Sequence, residues 1–278
     1  MLSFTPRRGE TIKGLLSSEM KKLFPCAYKD SCHSCVQAAD CDYPRFFHYQ
    51  LCKYPYAYTI IPPLSPRSIY YHGETFNFEI RLFGECANSD FLIKYLAPSI
   101  EQGGLLTGMG NWYLEKLGRF QMSKAYSWHN MTWRQVFQED KGFLQVEAPV
   151  QYFSSMLQSE SQERTQLRFY TPFCLKKSKK SVNEPDLKNI AYFSVMRLRA
   201  ATGDRKLMLN QDIFDLAEQA VRLSSGFAKT DTVKNNPYYI GQMAFGYIPK
   251  ALLPILTVGS FCHIGKGTTQ GYGGFFLR

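Results

Sequence analysis

No run of about 20 apolar residues, the length a bilayer-spanning helix needs, occurs anywhere in the chain. The most apolar stretch, residues 251–262, is about a dozen residues long and contains Pro254. The opening MLSFTPRRGE lacks the uninterrupted apolar core of a secretory signal. These absences point to a soluble, cytoplasmic protein with no membrane partner. Acids are scarce as well: 23 Asp and Glu face 33 Lys and Arg, leaving a net charge of +10. That excludes a self-repelling acidic chain and favours a polyanionic partner. Histidine, the usual acid–base side chain near neutral pH, is limited to His33, His48, His72, His129 and His263. What is present is enough for folding, since 45% hydrophobic and 15% aromatic residues over 278 positions can build one large core or two ordinary ones.

Five of the eight cysteines fall between 26 and 52, reading Cys26-x5-Cys32-x2-Cys35-x5-Cys41 with Cys52 beyond. Without an export signal, disulfides are the weaker reading. The C-x2-C pair places two thiols on one turn, as tetrahedral zinc accepts, but the flanking spacings are irregular for a zinc ribbon. Two readings stay open. Either Cys26, Cys32, Cys35 and Cys41 close around a structural zinc, or they are reduced, packed thiols. Cys86, Cys174 and Cys262 are isolated and read as packed.

Periodicity yields a repeated order of elements. Residues 10–24 read as a helix with Leu15, Leu16, Met20 and Leu23 on one side, after a short candidate strand at 2–5. Residues 55–61 and 75–83 read as strands, the second with Phe76, Phe78, Ile80 and Leu82 alternating against Asn77, Glu79 and Arg81. A helix follows from Ser89 to Gln102, interrupted by Pro98, then a glycine-rich turn at 103–110 and an extended stretch at 111–120. The second half repeats the order. It has a strand at 165–170, a helix at 186–201, and a helix capped by Asn210 that carries Ile213, Leu216, Ala217, Ala220 and Leu223. A strand pair at 221–229 and 238–248, a helix opened by Pro249 and a last strand at 274–277 complete it. Each half thus reads β-α-β-β-α-β, the ferredoxin-like order. The expected fold is α+β: two tandem ferredoxin-like (RRM-like) domains, at 1–153 and 154–278, with a Cys-rich insertion at 26–52 in the first. The polar segment 154–163 marks the boundary.

Basic charge is concentrated. Residues 164–206 hold 11 Lys and Arg against three acids, an excess of eight. Among them, Lys176, Lys177, Lys179 and Lys180 stand beside Phe169, Tyr170 and Phe173, a mixture suited to phosphates and bases, though also to an ordinary core under a solvated surface. The stretch from His263 to Gly274, HIGKGTTQGYGG, has five glycines in ten residues. Glycines let backbone approach a ligand closely and leave N–H groups to meet phosphate oxygens, while Lys266 adds charge and Thr268 and Thr269 add hydroxyls. The spacing is neither that of a Walker loop nor that of a dinucleotide fingerprint.

The segment GQMAFGYIPKALLPILTVGSFCHIGKGTTQGYGGFFL resembles the C-terminal signature of the CRISPR RNA-processing endoribonucleases of the RAMP superfamily, the Cas-six group. PRRGETIKGLLSSEMKKL is similar to the family's first helix. The C-x2-C-x5-C-x-Y-x3-F segment from Cys32 is similar to its Cys loop, and LRFYTPFCLK to the strand opening its second half. The resemblance implies two ferredoxin-like domains that bind CRISPR repeat RNA and cut it once per repeat in the precursor transcript. It implies attack by the 2′-hydroxyl on the adjacent phosphate without a metal, leaving a 2′,3′-cyclic phosphate and a 5′-hydroxyl. One group must then accept the 2′ proton, another stabilise the phosphorane, and another protonate the leaving oxygen.

In many relatives the base is a histidine on or near the first helix, and residues 10–24 contain none. His263, at the mouth of the glycine-rich loop, is the first candidate, with a histidine donating to a loop carbonyl as its plain alternative. His48, closing the Cys loop, is the second, and Lys13 is a candidate for charge stabilisation. Arg7, Arg8, Lys176, Lys177, Lys179, Lys180, Gly265, Lys266, Gly267, Thr268, Thr269, Gly271, Tyr272 and Gly273 are the expected RNA contacts. His72 reads as part of a turn, and His129 is left without a role. No cofactor is expected for catalysis. The expected partners are repeat RNA or its processed product and other Cas subunits. The competing readings are a catalytically inert RAMP subunit holding crRNA in an effector complex, and a zinc-stabilised DNA-binding or scaffold protein, which leaves the glycine-rich loop unexplained.

Overall fold

A computed structural model describes residues 2–3, 7–24, 26, 31–52, 56–65, 67–71, 73–87, 89–103, 124–129, 132–138, 142–143, 166–178, 180–204, 211–233 and 235–278. Its contacts group the chain into two units, residues 1–57 with 61–152, and residues 58–60 with 153–278.

In the first unit, helix α1 (Arg8–Leu23) buries Ile12, Leu16 and Met20, which recur every four residues and so share one face. Lys21 and Lys22 occupy its last turn, where cations oppose the helix dipole, and Lys22 Nζ donates to the buried Glu19 carboxylate at 2.6 Å. Helix α2 (Asp42–Phe47) adds Tyr43, Phe46 and Phe47 to the core. Phe46 stacks on Phe91 at 5.2 Å and Phe24 on Tyr95 at 4.4 Å. Strand β1 (Leu2–Ser3) pairs antiparallel with β3 (Ile69–Tyr70). Strand β4 (Glu79–Phe83) follows in this unit, while β2 (Ala57–Ile61) has its residues 58–60 grouped with the second unit. The helical segment begun at Ser89 widens into a π-helical stretch, Leu92–Leu96, before helix α3 (Ala97–Gly103). Pro98 lacks an N–H and would clash with the carbonyl four residues back, and the widened turn ahead of it accommodates both. Strands β5 (Lys124–His129), β6 (Thr132–Gln138) and β7 (Gly142–Phe143) make a three-stranded antiparallel sheet.

In the second unit, β8 (Gln166–Phe169) is followed by a hairpin of β9 (Leu175–Lys177) and β10 (Lys180–Val182), then helix α4 (Leu187–Thr202). Asp186 caps α4 by accepting the Asn189 N–H at 2.7 Å, and Gly203 ends it in the left-handed region. Helix α5 (Gln211–Glu218), the long hairpin β11 (Val221–Val233) and β12 (Asn236–Tyr247), helix α6 (Leu253–Cys262) and β13 (Phe275–Leu277) complete it. The four main strands lie in the order β11-β12-β8-β13, all antiparallel. Alternation sends Leu167, Phe169, Met243, Phe245, Phe275 and Leu277 to one side, where they share a core with Ile190, Leu252 and Leu256. The opposite side carries Arg168, Gln242 and Phe276.

Several expectations are corrected. The strand read over 75–83 begins only at Glu79. The helix expected to carry Leu223 stops at Glu218; Val221 and Leu223 belong to β11, where both are exposed. The helical spacing of Leu223 was overridden by the pairing of β11 with β12, whereas Val221 opens the strand as expected. The extended stretch 111–120 and the polar segment 154–163 lie outside the described residues. The cysteine segment consists of a 3₁₀ turn at Cys32–Ser34 and a further turn leading into α2. Among the described residues no helix is long and apolar enough to cross a membrane.

Candidate functional site

Two groups of candidate residues emerge, one in each unit. In the first, α1 presents Lys13, Ser17 and Lys21 at four-residue spacing, so they line one face beside the buried stripe. Ser17 Oγ and Tyr43 Oη are 2.8 Å apart, which ties α1 to α2. His48 ends α2 by donating its backbone N–H to the Pro44 carbonyl at 2.7 Å. Its half-buried ring lies 5.7 Å from Tyr43 and 6.3 Å from His33, centroid to centroid. Burial lowers the His48 pKa below the usual imidazole value, and the positive fields of His33, Lys13 and Lys21 lower it further. Burial also lowers Lys13, with Glu10 opposing, and raises the Tyr43 phenol, with Ser17 opposing. The group therefore offers an imidazole held neutral beside ammonium charge. A group of that kind can accept a proton while nearby cations stabilise an anion. Sequence reasoning placed His48 and Lys13 in separate roles. Ser17, Lys21, His33 and Tyr43 join them here, and the four-residue spacing along α1 was the available signal for Ser17 and Lys21.

Arg7 precedes α1 at its N-cap, and Arg8 Nη1 donates to the Pro63 carbonyl at 2.8 Å and to that of Ser65. The Arg8 guanidinium thus fastens the chain to itself.

Cys26, Cys32, Cys35, Cys41 and Cys52 are free and half-buried. Cys32 feels the charges of Cys26 and Cys35, and Cys41 those of Cys26 and Cys32, so these thiols are neighbours; burial raises both Cys32 and Cys41. Even so, no three His, Cys, Asp or Glu side chains among the described residues converge in a way that could hold a metal ion. The zinc expectation finds no support in this geometry.

In the second unit, the stretch after α6 folds back on its own sheet. His263 opens it at φ 56° and ψ 159°, a region non-glycine residues seldom enter. The ring has 0% exposure. Its Nδ1 lies 3.2 Å from the Tyr272 carbonyl oxygen and its Nε2 2.7 Å from the Tyr170 hydroxyl. A carbonyl only accepts, so Nδ1 carries the proton and Nε2 accepts from the tyrosine. The loop was expected to offer its N–H groups to phosphate. Many of them already have partners: Ile264 donates to Gly273, Lys266 to Cys174, Gly273 to Pro172, and Gly274 to Thr171 Oγ1. Tight self-packing explains the glycines. A Cβ at Gly273 would lie 1.8 Å from the Ile264 carbonyl oxygen, with φ at +77°. Thr268, Gly271 and Gly273 are buried and Gly265, Gly267 and Thr269 half-buried. Tyr272 packs on Tyr238 at 4.5 Å, and Lys266 reaches solvent beside Asn236.

The basic stretch disperses. Lys176, Lys177 and Lys180 lie on the β9–β10 hairpin, with Lys177 directly opposite Lys180, whereas Lys179 lies outside the described residues. Lys188 pairs with Glu218 at 2.5 Å. Arg197 is half-buried on α4, and its guanidinium donates to the carbonyls of Cys262 at 3.0 Å and Tyr58 at 3.5 Å. His72 lies outside the described residues, and His129 stands in β5.

Residues 1–149 match the AF_1859_N family, described as an N-terminal domain, and residues 167–275 match the family described as CRISPR-associated endoribonuclease Cas6. No curated protein matches the chain. Among solved structures, the Cas6 (TTHB231) product complex is similar over 100% of this chain and 96% of its own, at 15% identity and a TM-score of 0.53; that protein is from Thermus thermophilus. The Cas6 (TTHA0078) product complex is similar over 98% of this chain and 93% of its own, at 14% identity and a TM-score of 0.50. The partial Cas6-RT-Cas1–Cas2 complex is similar over 99% of this chain and 43% of its longer one, at 12% identity and a TM-score of 0.55. At these identities the likeness is one of fold.

Proposed function

The chain belongs to the Cas6 family of CRISPR-associated endoribonucleases, and we propose that it cuts CRISPR repeat RNA in the precursor transcript by internal attack of a 2′-hydroxyl, with no metal in the step. Both halves are read as ferredoxin-like; the β-α-β-β-α-β succession and strand order of the second unit support this for that half. The observation that carries the reading is the His48 group on the first unit: a depressed imidazole beside Lys13, Lys21 and Tyr43.

In this reading neutral His48 takes the proton from the 2′-oxygen as that oxygen bonds to phosphorus. Lys13 stabilises the charge that develops on the non-bridging oxygens. The P–O5′ bond breaks, the departing oxygen takes a proton from water, and a 2′,3′-cyclic phosphate and a 5′-hydroxyl remain. His263 is assigned to holding the loop, because its ring is sealed from solvent and both nitrogens are engaged within the protein. The exposed Lys266, with the hairpin lysines Lys176, Lys177 and Lys180, supplies phosphate contacts. Two of the solved structures named above are product complexes and the third is a Cas6-RT-Cas1–Cas2 complex, which supports repeat RNA and Cas subunits as partners.

The test is incubation of the protein with end-labelled repeat RNA in EDTA. Cleavage at one position, abolished by a 2′-deoxy substitution there and by His48→Ala, is the expected result. Retention of the RNA without cleavage would make the protein a crRNA-holding subunit instead, and cutting of the 2′-deoxy substrate would exclude internal attack.

A further inference from the structure

The first unit holds a cavity that RNA cleavage does not use. It has a volume of about 210 Å³ and is lined by Asp42, Tyr56, Asp90, Phe91, Lys94 and Tyr95, all within that unit. Asp42 opens α2, Tyr56 stands just ahead of β2, and the other four come from the helical segment begun at Ser89. Phe91 is buried, Asp42, Tyr56 and Tyr95 are half-buried, and Asp90 and Lys94 are exposed at the rim. Tyr56 meets Phe91 edge-on, with centroids 5.9 Å apart at 77°, and Phe91 and Tyr95 are tilted at 5.7 Å and 56°. Three aromatic rings thus frame a space with a carboxylate on either side.

The lining inverts the charge balance of the chain. Lys and Arg outnumber Asp and Glu by 33 to 23 overall, yet here Asp42 and Asp90 face Lys94 alone. Asp42 Oδ1 accepts the Tyr56 hydroxyl. Burial and this bond raise the phenol, which keeps the proton on Tyr56 and the charge on the carboxylate. Among the described residues the one other partner of Asp42 is Arg45, with Nη1 3.9 Å from the same oxygen, so Oδ2 is left to accept. Arg45 is shared with Glu85, and its guanidinium lies 4.1 Å from the Tyr56 centroid. The ring therefore already holds one guanidinium. At the rim, Lys94 Nζ pairs with Asp90 at 3.0 Å, four residues away on an exposed surface. Pairs of that kind are weak, so an incoming cation can displace Lys94.

We propose that this cavity receives the guanidinium of an arginine on an exposed segment of a partner protein. Aromatic rings attract a cation, and the pull strengthens where water is excluded. A guanidinium is planar and weakly hydrated, so it stacks on a ring and still directs N–H groups at a carboxylate, which an ammonium does less well. Here Tyr56 and Tyr95 take the flat group, Asp42 Oδ2 accepts from it, and Asp90 exchanges Lys94 for it. The volume of about 210 Å³ suits one long side chain, since pockets for drug-sized ligands span about 300–1,000 Å³. RNA is not the occupant, because its phosphates would meet two carboxylates of like charge. A free polyamine is the other source of such a cation, and the test separates the two.

The probes are N-acetyl-arginine-N-methylamide, its uncharged isostere N-acetyl-citrulline-N-methylamide, and spermidine. Each is titrated into isotope-labelled protein and followed by the shifts of backbone amides. The capped arginine should move the amides of Asp42, Tyr56, Phe91 and Tyr95 saturably, and the citrulline compound should not. Asp42→Asn, which keeps the shape of the side chain, and Asp90→Asn should each weaken binding by about threefold to tenfold. Lys94→Ala should tighten it about twofold, because the competing cation is gone, a gain that a folding defect would not produce. Melting temperatures of Asp90→Asn and Lys94→Ala should match wild type, since both side chains are exposed. Equal shifts with the citrulline compound, wild-type affinity in both aspartate variants, or no saturable change at these amides overturns the proposal. Spermidine bound more tightly than capped arginine at the same amides assigns the cavity to a free polyamine and overturns the partner. The titration contains no RNA, so its result is independent of whether the protein cuts the repeat.

Discussion

The Tyr170 hydroxyl donates to His263 Nε2 across 2.7 Å, and through that bond the end of strand β8 fixes the start of the glycine-rich loop. On the other side of the same imidazole, Nδ1 donates to the Tyr272 carbonyl, so one ring joins the loop's two ends to the sheet. The histidine that looked most available for catalysis in the sequence is the interior brace of the loop.

His263→Ala is accordingly expected to act through stability. It leaves a cavity and removes the partners of a half-buried hydroxyl and carbonyl, at a cost of about 1 kcal/mol or more for each unsatisfied group. Tyr170→Phe should cost about 1 kcal/mol, since it removes one hydrogen bond with little change of shape. Denaturant unfolding measures both. Unchanged stability in His263→Ala with a rate loss of 100-fold or more would return His263 to the chemistry.

His48→Ala is expected to slow cleavage by about 100- to 10,000-fold while RNA affinity changes little. The pH dependence has a definite sign. A general base works in its neutral form, so the rate falls as pH drops through its pKa. Because burial and nearby cations lower the His48 pKa, the acidic limb of the profile should lie below the ordinary imidazole value of about 6.5. Lys13→Ala and Lys21→Ala should each move that limb upward. A limb above the ordinary value would contradict the assignment.

Gly273→Ala is expected to be severe, because the new methyl would sit 1.8 Å from the Ile264 carbonyl oxygen at a φ of +77°. Soluble expression and thermal midpoint are the readouts, and a wild-type midpoint would show that the loop is looser than described.

Arg197→Gln tests the anchoring of helix α6. The half-buried guanidinium donates to the last carbonyl of that helix, Cys262, which Thr59 Oγ1 also approaches at 3.0 Å. Loss of the donor should destabilise the protein by about 1–3 kcal/mol, read by denaturant unfolding. Thr59→Val, which removes only the second donor, should cost less. A larger loss in Thr59→Val than in Arg197→Gln would reverse the roles given to the two donors.

Much of the second unit was legible because its signals are local. Asp186 caps α4 as its side chain dictates, Pro249 stands just ahead of α6 through a short 3₁₀ turn, and alternation from Leu167 to Phe169 marks β8. Where local patterns overlapped, pairing decided: Leu223 suits a helix face, yet the pairing of β11 with β12 draws it into an exposed strand. The hairpin of β9 and β10 gave little sign of itself, since three-residue strands of lysine and serine carry almost no periodicity.

The sequence by itself determined the succession of elements in the second unit, the basic surplus and the glycine-rich stretch that carries the family resemblance, because each is written in neighbouring residues. Only the tertiary structure decided which histidine is sealed and which meets cations, and that Phe276, Arg168 and Gln242 share a row. Burial, field and register arise between residues far apart in the chain, and no spacing along the chain encodes them.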